Sequence, residues 1–206
     1  VSAPFVENSD GMPGNSTLNF NGGALSPKGD TSAFLQGIDS AYVYSGGGVI
    51  DTTGRTITIA QPLLAPSDYG VAGISVSNSG AGYVGPPLVL IGGGSGTGAT
   101  AVAQIDSGGA VTNISITCPG MGYQADDVLT ITLSGGGYAT PATAGPATLA
   151  PNISGGLLKS GSGTLVLTGS NTYAGATVVE AGVLRLLPPF EPVSGMLLWF
   201  DAADTN

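Results

Sequence analysis

The stretch that decides the fold runs Gly155-Gly156-Leu157-Leu158-Lys159-Ser160-Gly161-Ser162-Gly163-Thr164-Leu165-Val166-Leu167-Thr168-Gly169, and then Ser170-Asn171-Thr172-Tyr173-Ala174-Gly175-Ala176-Thr177-Val178-Val179-Glu180-Ala181-Gly182-Val183-Leu184-Arg185-Leu186-Leu187. It reads as short strands separated by glycine turns. Leu165 and Leu167 share one face; Leu184 and Leu186 share another, with Arg185 opposite, as a period of two residues requires. Strands recurring every eight to twelve residues or so predict an all-β architecture. Several strands in one short unit predict one coil of a solenoid, whose apolar inner face is covered by the next coil.

Working toward the N-terminus, the same grammar recurs. Thr17–Phe20 alternates, with Leu18 and Phe20 on one side, and Asn21-Gly22-Gly23 turns the chain. Ala41–Tyr44 is apolar and Gly46-Gly47-Gly48 breaks it. Val49–Asp51 precedes a turn at Thr53-Gly54, and Arg55–Ala60 points Ile57 and Ile59 one way and Thr56 and Thr58 the other. One segment departs from this: the spacing of Phe34, Leu35 and Ile38 predicts a single helical turn within Asp30–Ile38.

Between these regions lies an internal repeat. Ile74-Ser75-Val76-Ser77-Asn78-Ser79-Gly80-Ala81-Gly82-Tyr83 recurs 40 residues later as Ile114-Ser115-Ile116-Thr117-Cys118-Pro119-Gly120-Met121-Gly122-Tyr123. The likeness continues at Leu88–Ile91 against Val128–Ile131, and then at an offset of 43, with Gly92-Gly93-Gly94 against Gly135-Gly136-Gly137 and Ala99-Thr100-Ala101 against Ala142-Thr143-Ala144. Each unit reads strand, Gly-x-Gly-Tyr turn, strand, triple glycine, extended segment. The glycines permit positive φ and close backbone approach. Tyr83 and Tyr123 then fold over the turns to close the core. They are also the candidate ligand contacts, since an aromatic ring can stack on a sugar.

The domain organisation expected is a linker or cap over 1–16, a β-strand segment over 17–72, the two-unit repeat over 73–150, the opening stretch as a unit over 151–187, and over 188–206 a linker leading into a following domain. The start, Val1-Ser2-Ala3-Pro4, has no signal-peptide pattern, so the chain reads as internal or processed.

Composition closes off most chemistry. The chain has 206 residues, 36 Gly and 14 Pro, yet 42% hydrophobic residues, a combination that suits short strands and tight turns rather than disorder. Only 8% of residues are charged, and the net charge is −9, which repels nucleic acid and anionic membranes. No apolar run is long enough to cross a membrane as a helix. Without histidine, Ser/His/Asp and Cys/His catalysis and His-based zinc sites are excluded. Cys118 is alone, so no internal disulfide forms, and a buried thiol is expected. Asp126-Asp127 is the one adjacent carboxylate pair; it lies at a turn, and no repeated acidic loop supports calcium. Gly92–Gly98 lacks the Lys-Ser/Thr of a phosphate loop. No catalytic residue, metal ligand or cofactor site is expected, and the chain is read as a non-enzyme.

Ile153–Leu187 resembles the autotransporter-associated β-strand repeat of large secreted and surface proteins of bacteria. The residues that carry the likeness are Gly156-Leu157-Leu158-Lys159, Gly163-Thr164-Leu165, Asn171-Thr172-Tyr173-Ala174-Gly175 and Ala181-Gly182-Val183-Leu184, with the Ala174 insertion and Val183 as departures. Gly46–Leu63 resembles what often precedes that repeat. Leu197-Leu198-Trp199-Phe200-Asp201-Ala202-Ala203-Asp204 resembles the opening strand of a concanavalin-like lectin domain. The resemblance implies a right-handed β-solenoid (β-helix) with the Gly-x-Gly-Tyr pair inserted; tandem small β-sandwiches are the competing architecture. It implies an extracellular or cell-surface structural segment, a stalk, spacer or fibre subunit, with an adhesive or glycan-binding module as the alternative. Few basic residues guard the strand edges, so self-association is expected, in the form of a head-to-tail filament, with neighbouring domains of the parent chain that cap both ends as the equal alternative. Surface glycans are the other candidate partner.

Overall fold

The structure is a computed structural model that describes residues 1–7 and 16–187. The stretch that resembles a lectin strand, and the whole of the expected 188–206 linker, lie outside the described residues. Among the described residues there is no helix, as the alternation predicted.

The first nine strands are short, because glycine, Asx or proline turns interrupt them. They are β1 (Ser2–Ala3), β2 (Val6–Glu7), β3 (Thr17–Phe20), β4 (Ala24–Pro27), β5 (Thr31–Gln36), β6 (Ser40–Val43), β7 (Gly48–Asp51), β8 (Thr56–Ile59) and β9 (Leu63–Leu64). The chain then leaves this pattern for β10 (Tyr69–Asn78), β11 (Leu88–Gly93), β12 (Thr100–Ile105), β13 (Val111–Cys118), β14 (Leu129–Ser134) and β15 (Thr143–Pro151). It returns with β16 (Leu157–Ser160), β17 (Thr164–Leu167), β18 (Thr177–Val179) and β19 (Val183–Leu186).

The short strands form three parallel sheets, ordered β1-β4-β7-β16-β18, β2-β5-β8-β17-β19 and β3-β6-β9. Each round of chain therefore adds one strand to the first sheet, one to the second, and in the first three rounds one to the third. Every pairing in these sheets is parallel, and β16 and β17 pair with β7 and β8 across the whole intervening stretch. The inward residues stack in register. Ile57, Leu165 and Leu184 form one column, and Leu25, Ile50, Lys159 and Val179 another. Their interior is a core of Phe20, Phe34, Ile50, Ile57, Ile59, Leu63, Leu157 and Leu165 with their neighbours.

The helical turn expected within Asp30–Ile38 is a strand, β5. A register shift between Thr31 and Leu35 breaks its alternation, so the consecutive Phe34 and Leu35 are both buried. That double burial produced a spacing that mimics a helix. Leu184 and Leu186 share a face as expected, but Leu186 is exposed because β19 is an edge strand with nothing stacked beyond it.

Residues 69–151 fold as antiparallel β-structure around a second core that includes Val71, Ile74, Tyr83, Val89, Val111, Ile114 and Tyr123. The strands order as β13-β12-β11-β14 and β10-β15. The two repeat units exchange partners. The first strand of unit one, β10, pairs with the last of unit two, β15, and the first of unit two, β13, pairs with the last of unit one, β12. The middle strands pair with each other so that Ile91 faces Ile131, its own counterpart at the 40-residue offset. A pseudo-two-fold axis therefore passes between these two isoleucines. The bridges Ala81–Thr140 and Thr97–Met121 are mates under the same symmetry.

Candidate functional site: the stacked corners

The three parallel sheets are joined at corners, and residues of the opening stretch occupy them. Between the third and first sheets, Gly47, Gly155, Gly156 and Gly175 lie one above another. A Cβ on Gly155 would strike the Tyr44 carbonyl, one on Gly156 the Ala176 carbonyl, and one on Gly175 the backbone of Gly155 and Gly156. The amides continue the stack: Gly48 donates to the Gly156 carbonyl at 3.0 Å and Gly175 to that of Gly155 at 3.0 Å.

The corner between the first and second sheets repeats the device. A Cβ on Gly163 would meet the Arg55 backbone, and one on Gly182 the Gly161 and Gly163 carbonyls. Gly182 also has φ 73°, in the region that favours glycine. Glycine at these places lets successive rounds approach at the spacing of paired strands, about 4.8 Å.

Lys159 locks this corner from inside. Its place in β16 points inward, between Ile50 of the preceding round and Val179 of the next, and it is 0% exposed. Its Nζ donates to the carbonyls of Ser160 at 2.8 Å, Gly161 at 2.6 Å and Ala181 at 2.8 Å. An ammonium has three protons to donate, and all three are used. Two of the acceptors lie in one round and the third in the next, so the side chain ties adjacent rounds together. Burial pulls the ammonium below the ordinary lysine value, and the Asp51 charge partly offsets this. Thr52, also buried, donates its amide and hydroxyl to the same Ser160 carbonyl.

On the third side, residues 171–173 replace a strand. The Asn171 Oδ1 accepts from the Leu63 amide at 2.9 Å, and the Thr172 amide donates to the Leu63 carbonyl at 2.9 Å. Asn171→Ala leaves the Leu63 amide without its acceptor, and the expected loss is about 1–2 kcal/mol by urea denaturation. Equal stability of the variant and the parent would contradict that role.

The candidate ligand contacts from the repeat lie elsewhere. Tyr83 is 5% and Tyr123 3% exposed, both inside the second core. The Tyr83 hydroxyl accepts from the Ala142 amide at 2.8 Å, and the Tyr123 hydroxyl meets the Ala99 amide, the mate of Ala142 at the 43-residue offset. Each tyrosine thus closes over the other unit, and a ligand reaching either ring would have to displace that bond. A side chain at Gly136 would strike the Tyr83 ring, and one at Gly96 the Tyr123 ring. Tyr83→Phe is expected to cost about 1–3 kcal/mol, because a buried amide loses its acceptor. Tyr123→Phe should cost a similar amount, and a large disparity in urea melts would break the symmetry argument. Tyr138, which the sequence reading passed over, packs on Tyr83 with ring centroids 5.3 Å apart and is 46% exposed.

Cys118 is buried, and its thiol faces the Tyr44 hydroxyl across the junction of the two β-regions. Burial first, and the Cys118 neighbour second, push that hydroxyl far above its ordinary value. Asp127 ties its own loop to the one that holds Ser95. It accepts from the Gln124 amide at 2.8 Å, the Ser95 amide at 2.9 Å and the Ser95 hydroxyl at 2.7 Å. These bonds hold its carboxyl below the ordinary 3.8, and Ser16 does the same for Asp39. Both groups therefore support the fold fully above pH 3.8, and that support is lost as pH falls through the lower folded values. The urea midpoint should drop as pH falls below 3.8 through the lower folded values, and Asp127→Asn should flatten the drop. An unchanged slope in Asp127→Asn would remove this carboxylate from the account. Among the described residues no group of His, Cys, Asp and Glu is placed to hold a metal.

No curated protein and no solved structure matches the chain. Residues 157–186 match the passenger-associated-transport-repeat, an autotransporter passenger repeat; the matched stretch holds Lys159, Gly163, Asn171, Gly175 and Gly182, while Gly47, Gly155 and Gly156 of the first corner lie outside it.

Proposed function

We propose that the parallel rounds are coils of a right-handed β-solenoid, with the exchanged repeat pair inserted between its third and fourth coils. We propose further that this solenoid is a non-catalytic structural segment, a stalk or spacer, of a bacterial surface or secreted protein. The observation that carries the reading is the register of the rounds. Five strands deep, two sheets keep the same inward columns, and glycines of the passenger repeat, together with Gly47, Gly155 and Gly156 outside it, let one coil seat on the next. A rod built this way grows in length by repetition, and its chemistry is spent on backbone pairing rather than on a reactive pocket.

The architecture is tested by a disulfide between registered partners. Asp51 and Ser160 are Cα partners on adjacent coils, at a spacing of about 4.8 Å that a disulfide accepts. In a Cys118→Ala background, Asp51→Cys with Ser160→Cys should crosslink within one molecule, whereas Asp51→Cys with Leu158→Cys should not. The reverse result rejects the stacking. The location is tested on intact cells carrying the parent protein. Antibody to this segment should label the cell surface or the culture medium, and labelling only after lysis rejects an extracellular role.

One observation favours a second reading, a glycan-binding module. Tyr138 offers a half-exposed ring braced from behind by Tyr83. Glycan-array binding that disappears in Tyr138→Ala, with the circular dichroism spectrum unchanged, would establish it; no binding by the parent chain rejects it.

A further inference from the structure

We infer that the outer face of the antiparallel region, from Tyr138 along β11 to Val102, binds a neutral polysaccharide, with apolar side chains under the C–H faces of successive sugar rings and uncharged hydroxyls along their rims. The inference rests on the glycan-binding reading and deepens it, naming the class of glycan and extending the site from one ring to a run.

Alternation along β11 buries Val89 and turns Leu88 and Leu90 outward, 62% and 48% exposed; Val102 of β12, the partner of Leu88, is 50% exposed. β11 and β12 meet as Cα partners at Leu88 and Val102 only, and Pro86 and Pro87 just before β11 have no N–H with which to continue the ladder. A groove of about 370 Å3 opens there, lined by Pro86, Pro87, Leu88, Val102 and their neighbours. The apolar surface continues through Val84, which is 88% exposed. The Val84 amide donates to the Gly136 carbonyl at 2.9 Å, and a Cβ on Gly137 would touch the Val84 side chain at 3.5 Å, so Val84 sits beside the turn that presents Tyr138. The Tyr138 ring is held in advance against Tyr83, so binding freezes little further rotamer freedom.

The pseudo-two-fold axis supplies an internal comparison, because the same backbone occurs twice. At offsets of 40 and 43, the mates of Val84, Pro87, Leu90, Tyr138 and Val102 are Gln124, Asp127, Thr130, Ser95 and Gly145. At the mate of the Tyr138 turn, Asp127 and Ser95 close the loops on each other by hydrogen bonds. The fold therefore accepts polar or small residues at all five positions, and packing does not demand the apolar set. Exposed apolar side chains gathered on one of two equivalent surfaces mark a contact surface.

Charge and hydroxyl placement select the ligand. Residues 69–151 contain no Lys or Arg, and their charged residues are Asp106, Asp126 and Asp127. Asp106 is spent on its own turn, where it accepts from the Gly108 and Ala110 amides at 2.9 Å each. A carboxylated or sulfated glycan would find no cation here, and the chain as a whole, at −9, repels it. Across the sheet Ser134, Leu88, Val102 and Ser115 are successive partners, and Thr132 stands beside Leu90, so hydroxyls flank the apolar strip on both sides. A neutral sugar ring has the same division, C–H on its faces and hydroxyls at its rim, and an aromatic ring with a polar tip suits it.

The test is calorimetric titration of the whole chain with hexasaccharides of β-1,4-linked glucose, β-1,4-linked mannose and α-1,4-linked glucose, and with hexagalacturonate as the acidic counterpart. At least one neutral hexamer should bind, more tightly than its own disaccharide, and hexagalacturonate should not. Leu88→Ser with Val102→Ser should weaken that hexamer about tenfold, while Val128→Ser, at the mate of Leu88, should leave it unchanged. All three positions are exposed, so the folds should hold, and circular dichroism checks that they do. Without glycan, the parent and the double variant should sediment alike; self-association of the parent that the double variant loses would give the face to a second copy and overturn the inference. The glycan array separates the two ideas. Binding that needs Tyr138 but is confined to acidic glycans, or is indifferent to Leu88 and Val102, leaves the glycan reading standing and overturns the inference; no binding to any glycan overturns both.

Discussion

Gly163→Val should be the most damaging single substitution in the chain, with an expected loss of about 4 kcal/mol or more. Gly163 lies in the interior of the stack, between the corner at Arg55 and the one at Gly182. A Cβ there would overlap the Arg55 backbone, and Gly54 lies 2.7 Å from it. All of these atoms are backbone of Gly54 and Arg55, which leaves nothing flexible to yield, so β16 and β17 would have to lift from β7 and β8. Overpacking a well-filled core costs about 1–3 kcal/mol when side chains can adjust, and more when backbone must move. Gly54 is the control. It has φ 83°, but a Cβ would meet only the Ser162 hydroxyl at 3.5 Å. Gly54→Ala should therefore cost only the conformational penalty, about 1–2 kcal/mol. Urea denaturation of both variants decides the matter. A Gly163→Val chain as stable as Gly54→Ala would mean the corners are not close-packed.

Lys159→Ala should rank second, with a loss of about 3–5 kcal/mol from the cavity and from carbonyls that lose their donor. Lys159→Met retains most of the volume and removes the charge, so about 1–2 kcal/mol is expected. The pH dependence separates charge from volume. The folded value of Lys159 is depressed below 10.5, so between the two values the unfolded chain holds a proton that the folded chain has released. Stability from this group therefore rises with pH across that window. Tyr44 acts in the opposite sense. Its folded value is raised above 10.0, so above that pH the unfolded chain ionises first and stability falls. The parent should show a shallow alkaline rise followed by a decline, and Lys159→Met only the decline. A rise that persists in Lys159→Met would assign it to another group.

The clamp was within reach of the sequence. Alternation puts Leu157 inward and Leu158 outward, which obliges Lys159 to point into the core, where a lone lysine needs acceptors. The glycines around it, Gly161 and Gly182, leave such acceptors bare, because a corner without side chains exposes its carbonyls. The helical turn read into Asp30–Ile38 failed for the converse reason. A register shift in β5 buries two neighbours in succession, and alternation breaks where a bulge intervenes.

The sequence by itself determined the all-β class, the inward faces of the short strands, the turns and the presence of two repeat units. These follow from local physics: a two-residue period, and glycines where φ is positive or backbones touch. It also excluded histidine chemistry outright. Only the tertiary structure decided which strands pair. A likeness at an offset of 40 says that two units share a local shape, and nothing about whether each closes on itself or on the other. Exchange was settled by burial: each tyrosine finds its backbone donor, Ala142 or Ala99, in the opposite unit. The return of β16 to β7 across the antiparallel stretch has the same character. Pairing between residues so distant depends on which apolar faces remain uncovered once all rounds are present, and no local pattern contains that information.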